Sequence, residues 1–416
     1  ANPDCHIISD RAISILDYLI DRIQISLDAV VKDLGTSFHI NSIHGLTQSM
    51  TRCLLDIASG MSQNLININK DDWRRRLEII VTLNQKLIHF VLEVLAGKQS
   101  FESCPSFAEM GVALNSLIST GQEQEDGTLS TSPEFQLLLS WCWLNVKESC
   151  SCLGEVSSLV AANGGTSISM LSDIGEIFVK VLTTCRHKGA VEGSRHGLHH
   201  FCSYLISSGV ADFTEIPCTI LQQILVSLSH NSLSSSATRR SAGLPIFIHT
   251  VIQAVYKNGN KDLLMSTVDH LYNVASQQLP TDYSQNQDMS QGHALNILKT
   301  IFCDASLATK LLPLLSKMTV LVVKGFDSPS WSIRNAATQL ISTLVVRIFG
   351  QKSSEDASSG MSLEDFSTQY PQLVQFVCEM MTEYSKANTT VKPSLYIVLT
   401  LLSQLAMSPL DQHSCS

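Results

Sequence analysis

The side chains best suited to binding chemistry form one block, Arg239-Arg240-Ser241-Ala242-Gly243-Leu244-Pro245. Two adjacent guanidinium groups can form bidentate hydrogen bonds with phosphate or with carboxylate. Glycine and proline early in a helix cost stability unless packing or a partner requires them. The residue types alone support two interpretations equally. Either the arginines contact a partner, or one bridges neighbouring repeats and the other caps a helix C-terminus.

A second group of basic and histidine residues begins at Arg186-His187-Lys188, which we treat as a candidate basic contact. Further along, His196 and His200 are four residues apart and would share one helix face, as two zinc ligands could. No acidic or cysteine ligand pattern completes this pair. We therefore expect a solvated or partner-facing basic helix here and no metal on this chain.

Two further groups have plain structural interpretations. Trp73-Arg74-Arg75-Arg76 could contact phosphate, but an exposed helix face beside a buried tryptophan explains it better. Cys150-Ser151-Cys152 lacks zinc-finger spacing and is better explained by core packing. The sequence contains no Gly-rich phosphate loop, nucleophile elbow or strand–GxG methyl-donor fingerprint. We therefore expect no catalytic residues and no cofactor on this chain.

The elements that must position these groups have helical periodicity, and no run alternates like a strand. Helices are predicted over 10–31, 72–95 and 293–305, and another from Ser132-Pro133, where serine suits the N-cap and proline the first helical position. Behind the arginine block, one helix face repeats at three- and four-residue steps. Its members are Leu244, Phe247, Ile248, Val251, Ile252 and Val255.

The stretch 327–337 follows the second helix of a HEAT-type repeat: an aspartate, a helix-starting proline, then apolar-Arg-x-Ala-Ala. In that pattern the arginine, here Arg334, typically pairs with a carboxylate of a neighbouring repeat. A strict period is not visible, so the repeats must be degenerate. These features predict an all-α fold, an α-solenoid of degenerate HEAT/armadillo-like helical repeats.

Polar stretches rich in glycine and serine suggest how the sequence is divided. We predict N-terminal helical repeats over 1–118, a polar loop over 119–134, a signature helical domain over 135–350, a second polar loop over 351–362, and C-terminal helices of a truncated solenoid over 363–416. Because the sequence begins at Ala1 rather than at methionine, we expect a longer parent chain.

Composition limits the classes of partner. A net charge of -9 argues against general nucleic-acid binding, which needs a basic field, so any RNA contact must be local. The charged fraction of 16% is low against roughly 25% in soluble proteins, which predicts burial against further protein. Polar residues interrupt the apolar stretches before the roughly 20 residues that span a bilayer, so no membrane insertion is expected. The 12 cysteines form no CxxC pair, which predicts free thiols and a cytosolic or nuclear protein. Of these two locations we expect the cytoplasm.

Several blocks, taken in their order along the chain, resemble the THADA family of large α-solenoid proteins. Together they cover about 138–350. The blocks are Cys142-Trp143-Leu144-Asn145-Val146-Lys147-Glu148, Arg186-His187-Lys188-Gly189-Ala190, Arg239 to Pro245, His293-Ala294-Leu295-Asn296-Ile297-Leu298, Trp331-Ser332-Ile333-Arg334-Asn335 and Arg347-Ile348-Phe349-Gly350.

The resemblance implies a non-catalytic auxiliary subunit of an FtsJ-type tRNA 2′-O-methyltransferase. The partner enzyme would carry S-adenosylmethionine and the chemistry, and the solenoid would direct it to the ribose of the first anticodon-loop nucleotide. The family motif tied to this role matches Arg239 to Pro245 in full. The alternative is a general α-solenoid adaptor for protein partners that has no RNA function.

Overall fold

The computed structural model describes residues 3–96, 114, 133–162, 168–185, 187–229, 243–279, 283, 289–350, 361–386 and 392–406. All regular elements in these ranges are helical, apart from one isolated bridge between Ser362 and Ala406. The all-α prediction is therefore confirmed. The predicted polar loops fall largely outside the described ranges, and the predicted division of the chain stays a prediction.

The α-helices, in chain order, are α1 (Pro3–Lys32), α2 (Leu34–Ser37), α3 (Ile43–Ser62), α4 (Lys70–Ala96), α5 (Pro133–Ala162), α6 (Ile168–Thr184), α7 (Lys188–Ser207), α8 (Ala211–Ser229), α9 (Gly243–Lys257), α10 (Asp262–Ala275), α11 (Ser290–Cys303), α12 (Ala308–Leu311), α13 (Leu315–Gly325), α14 (Trp331–Phe349), α15 (Leu363–Gln369), α16 (Pro371–Lys386) and α17 (Pro393–Leu402). Short 3₁₀ turns, Ala305–Leu307 and Leu312–Leu314, flank α12. The predicted helix starts were accurate at Pro133 and within a few residues for α4 and α11, whereas α1 begins a full two turns earlier than predicted.

The chain forms two compact units. The first comprises Ala1–Ile224 and Ser234–Leu263, and the second Leu225–Leu233 and Leu264–Ser416. In the first unit α1 packs on α3, α3 on α5, α5 on α7 and α7 on α9. Helix α4 also contacts α5, and α6 contacts α4, α5 and α7. In the second unit α14 packs between α11 and α13, and α13 also contacts α16 and α17. Packing between alternate helices is typical of helical-repeat proteins, as predicted for a solenoid.

The core stripe predicted for α9 is buried throughout. The helix is, however, not amphipathic in its first ten residues. Ile246, His249 and Thr250, which lie off the predicted stripe, are also buried. A helix that is buried on all sides must be surrounded by others, and α9 packs on both α6 and α7.

Two helical segments, Lys70–Ala96 and Ala305–Gly325, are long and apolar enough to cross a membrane by length and composition alone. Polar residues such as Asn84 and Lys86 in the first segment, and Lys317 in the second, do interrupt them, and the expectation of no membrane insertion stays a prediction. Their apolar windows are 50% and 44% buried inside the chain. A buried core helix passes the same test, so the finding indicates membrane contact only weakly.

The arginines of the Trp73–Arg76 group are engaged by acidic residues. Trp73 is buried, and Arg76 forms a bidentate pair with Asp17 in which both N···O distances are 2.8 Å. Arg74 and Arg75 each pair with a carboxylate of their own helix. The structural interpretation preferred for this group is therefore supported.

The described cysteines are free thiols, as predicted, and those at the Cys150-Ser151-Cys152 site pack in the core. Cys150 and Cys152 are both fully buried. Burial raises the pKa of Cys152 to about 11, although Asn84 donates a hydrogen bond to its sulfur. A thiol with such a pKa stays protonated at neutral pH, which suits packing and not metal binding.

The role predicted for Arg334 is wrong. Within the described ranges its guanidinium pairs with no carboxylate; it donates from Nη1 to the main-chain oxygens of Ser328 and Pro329, at 2.7 and 2.8 Å. The aspartate of the HEAT-type pattern, Asp327, instead accepts hydrogen bonds from the main-chain N–H and the hydroxyl of Ser394 at the start of α17. The arginine therefore fixes the loop before its own helix, and the aspartate joins two helices.

Candidate functional site

The described part of the arginine motif is its last three residues, and these form the first turn of α9. Gly243, Leu244 and Pro245 are all buried. Arg239, Arg240, Ser241 and Ala242 lie outside the described residues, as does Arg186. The structure therefore shows how the motif is anchored.

Gly243 is required by a close approach of two backbones. A Cβ atom built on it would lie 2.0 Å from the main-chain oxygen of Leu182, in the last turn of α6. That distance is far inside van der Waals contact, and a backbone oxygen cannot move aside as a side chain can. Pro245 costs little stability, because N–H groups in the first helical turn have no partner within the helix and proline therefore removes no helical hydrogen bond. Both residues seemed costly in the sequence; packing explains the glycine, and the position in the first helical turn explains the proline.

The last turn of α6 leads directly into the second basic group. His187 is the N-cap of α7: its Nδ1 accepts a hydrogen bond from the main-chain N–H of Ala190 at 3.2 Å. Its ring stacks on Trp143 of α5, with centroids 6.3 Å apart. Burial lowers the pKa of His187, and an accepting Nδ1 carries no proton. His187 therefore serves the fold, whereas Lys188 is exposed to solvent.

The structure brings the described parts of the arginine motif and of the second basic group to one place. Gly243 touches Leu182, and the chain runs from Leu182 through the short connection to His187 and Lys188. We call this region the motif junction, and its described members are Leu182, His187, Lys188, Gly243, Leu244 and Pro245. Sequence reasoning found both groups but did not place them together.

A close helix crossing between α5 and α7 was missed in the sequence. A Cβ on Gly197 would lie 1.9 Å from the main-chain oxygen of Cys150, and one on Gly154 would lie 2.4 Å from the oxygen of Gly197. Gly189 and Gly193 precede Gly197 at four-residue intervals, which places all three on one helix face. That spacing was the signal for a close contact in the sequence.

This crossing places an acidic residue beside the histidine pair. Glu155 of α5 lies with its Oε1 2.7 Å from Nδ1 of His200. The ligand atoms of Glu155, His196 and His200 all lie within 4.8 Å of one another. The premise that no acidic group completes the pair is therefore wrong, because the carboxylate comes from a separate helix.

Residues 76–332 match the family model described as THADA/TRM732, DUF2428, which covers more than half of the chain. This chain belongs to the THADA/Trm732 family. Residues 334–416 match a second model, described as Trm732, C-terminal TPR repeats. The first match includes the whole motif junction of this THADA/Trm732 chain, and the HEAT/armadillo type of its repeats stays a prediction.

Three relatives of this THADA/Trm732 chain are each named as a regulator of a tRNA (32-2'-O)-methyltransferase. The tRNA (32-2'-O)-methyltransferase regulator THADA of Canis lupus familiaris is 32% identical over 296 residues, which are 66% of this chain and 15% of the relative. That of Homo sapiens is 31% identical over 299 residues, 67% of this chain and 15% of the relative. The regulator trm732 of Schizosaccharomyces pombe is 26% identical over 361 residues, 84% of this chain and 23% of the relative.

The chain therefore spans less than a quarter of the length of each of these relatives. No solved structure gives a significant match.

Proposed function

We propose that this chain is part of a non-catalytic regulatory subunit that acts with an FtsJ-type methyltransferase. Together they would direct 2′-O-ribose methylation of the first nucleotide of the tRNA anticodon loop. The names of the relatives, regulators of a tRNA (32-2'-O)-methyltransferase, support this proposal. S-adenosylmethionine and the methyl transfer belong to the partner enzyme, and the assembly works in the cytoplasm.

The observation that carries the proposal is the anchoring of the motif at the motif junction. Gly243 is held against the backbone of α6, and Leu244 and Pro245 are buried behind it. Chain length alone keeps the Cα of Arg240 within about 11 Å of that of Gly243. A rigid anchor next to two arginines lowers the entropy lost when their guanidinium groups bind tRNA phosphate or a carboxylate of the enzyme. Exposed Lys188 adds positive charge at the same place.

The test is co-purification of the chain with an FtsJ-type enzyme, followed by methylation of unmodified tRNA. We expect Arg239→Ala/Arg240→Ala to lower the stimulated methylation rate at least tenfold without loss of helical circular dichroism. The matched control is Arg52→Ala/Arg75→Ala, which removes two arginines whose side chains are 77% and 68% exposed and which pair only within their own helices. Undiminished methylation by a folded motif variant would refute the role of this site.

The alternative, a protein adaptor without RNA function, predicts a different salt dependence. Each phosphate contact adds about 0.7–0.9 to the negative slope of log affinity against log salt. If both arginines contact tRNA, the double variant should lower that slope by about 1.4–1.8. If the double variant keeps the salt slope of tRNA binding but no longer binds the enzyme, the arginines contact the enzyme and not the tRNA. No tRNA binding at any salt concentration, with or without the enzyme, would favour the adaptor.

A further inference from the structure

We propose that Glu155, His196 and His200 form a binding site for a divalent transition-metal ion that joins α5 to α7. The site lies in the first unit and does not depend on the proposed function. Two imidazoles and one carboxylate are a common ligand set for such ions, with further coordination positions left to water or to a partner.

The ligand atoms have the spacing that an ion needs. Around a tetrahedral Zn²⁺ with bonds of about 2.0–2.1 Å, ligand atoms lie about 3.3 Å apart. In the cluster Glu155 Oε1 and His200 Nδ1 are 2.7 Å apart, and the ligand atoms of all three residues lie within 4.8 Å of one another. Small side-chain rotations therefore suffice to surround an ion.

The buried carboxylate of Glu155 lies in surroundings that favour the binding of a cation. The residue is 9% exposed, and among the described residues its carboxylate forms no ion pair with lysine or arginine. Its one ion-pair partner is His200, whose Nδ1 is buried and makes no hydrogen bond within the described part of the chain. A buried carboxylate and a buried ring nitrogen that face each other without a hydrogen bond are both satisfied by a shared ion.

The backbone supports the site from both sides. His196 and His200 are one turn apart on α7, with ring centroids 4.3 Å from each other. On α5, Glu155 directly follows Gly154, which lies against the backbone of Gly197. The glycine crossing therefore fixes the distance between the carboxylate and the two imidazoles before any ion binds, which favours binding. His196 is exposed and leaves the ion open to solvent.

The choice of ion follows from the ligands. Imidazole nitrogen suits Zn²⁺, Ni²⁺ and Co²⁺, whereas Mg²⁺ takes oxygen ligands almost exclusively. We therefore expect Zn²⁺ to bind and Mg²⁺ not to bind.

The experiment is calorimetric titration of the chain with Zn²⁺ and, separately, with Mg²⁺. The titrations use a Cys303→Ser/Cys378→Ser background, because these are the exposed thiols among the described residues and could bind zinc themselves. We expect His196→Ala and Glu155→Gln each to lose one equivalent of tightly bound Zn²⁺, with affinity at that site reduced at least 100-fold. Zn²⁺ should also raise the Tm of the parent protein, but not that of His196→Ala.

The matched control is His199→Ala, which removes a histidine from the same helix but from outside the cluster. It should retain both the bound equivalent and the rise in Tm. Because His196 is exposed, its replacement leaves the core intact, and circular dichroism without metal checks this. Equal zinc stoichiometry in the parent protein and in His196→Ala would overturn the proposal, as would an equal loss in His199→Ala.

Discussion

Helices α9 and α14 share a short sequence pattern near their starts and are packed in different ways. An arginine stands shortly before two small residues in each case: Arg240 before Ala242-Gly243, where α9 begins at Gly243, and Arg334 before Ala336-Ala337 within α14. Gly243 meets the backbone of α6, whereas a Cβ on Gly325 in α13 would meet side chains of α14, with the Cβ of Ala337 nearest at 3.3 Å. The first ten residues of α9 are buried, while α14 exposes one face to solvent.

The difference shows that one sequence pattern supports two kinds of helix. In α14 the alanines allow ordinary close packing, and Arg334 is used by the loop that precedes its own helix. In α9 the small residue permits contact between two backbones, and the neighbouring segments bury the helix on all sides. An arginine next to small residues is therefore not by itself a binding site. Its role depends on which groups its guanidinium contacts.

The largest effect should come from the helix that is buried on all sides. Phe247→Ala in α9 removes a side chain that is 1% exposed and should lower the free energy of unfolding by about 3–5 kcal/mol. Trp331→Ala in α14 removes a larger side chain that is 54% exposed and should cost about 1 kcal/mol. Urea denaturation of both variants checks this, and equal losses would remove the contrast between the helices.

The next effect separates the two kinds of close contact. Gly243→Ala should cost about 1–3 kcal/mol, because the new methyl group collides with the main chain of Leu182. The matched substitution is Gly292→Ala in α11, whose methyl group would lie no closer than 3.8 Å to Ser332 of α14. It should stabilise the protein by about 0.5 kcal/mol, because alanine favours helix. A shift of the urea midpoint in the same direction for both would contradict the interpretation.

A smaller effect tests the use of the arginines. Arg334→Ala should lower the free energy of unfolding by about 1 kcal/mol, since it leaves the main-chain oxygens of Ser328 and Pro329 without their donor. Stimulation of tRNA methylation should not change. The motif variant Arg239→Ala/Arg240→Ala should show the reverse, with stability kept and stimulation lost. Loss of stimulation by a stable Arg334→Ala protein would show that the two arginine sites are not distinct.

The smallest effect concerns the helix cap at the motif junction. Burial lowers the pKa of His187 below its ordinary value of 6.5, so the folded protein favours the neutral ring. The stability that this provides is present above pH 6.5 and is lost as the pH falls through the lowered pKa. His187→Asn keeps a capping acceptor that does not titrate, so its stability should fall less steeply below pH 6.5.

Parallel urea titrations of the parent protein and His187→Asn between pH 7 and pH 5 measure this difference. The N-cap of α14, Ser330, makes no side-chain cap hydrogen bond and does not titrate. Its replacement by alanine should therefore leave the pH dependence unchanged. Identical curves for the parent protein and His187→Asn would show that the cap does not contribute.

Local features of the fold were predictable, and contacts between distant segments were not. The stripe from Leu244 to Val255 was correct, because helical period follows from the order of residues alone. The burial of His249 and Thr250 on the opposite face depends on helices far away in the sequence. The partners of Arg334 were predicted wrongly for a related reason, since a repeat pattern does not state which acceptor lies nearest.

The sequence by itself determined the helices, their core faces, the family and the two basic groups, because these depend on residue order and local spacing. Only the tertiary structure decided that Gly243 must be glycine, that the described parts of the second basic group and of the arginine motif share one junction, and that Glu155 joins the histidine pair. Each of these depends on the close approach of two backbones from separate segments. The four-residue spacing of the glycines in α7 indicates a close helix contact, but it does not indicate which helix is the partner.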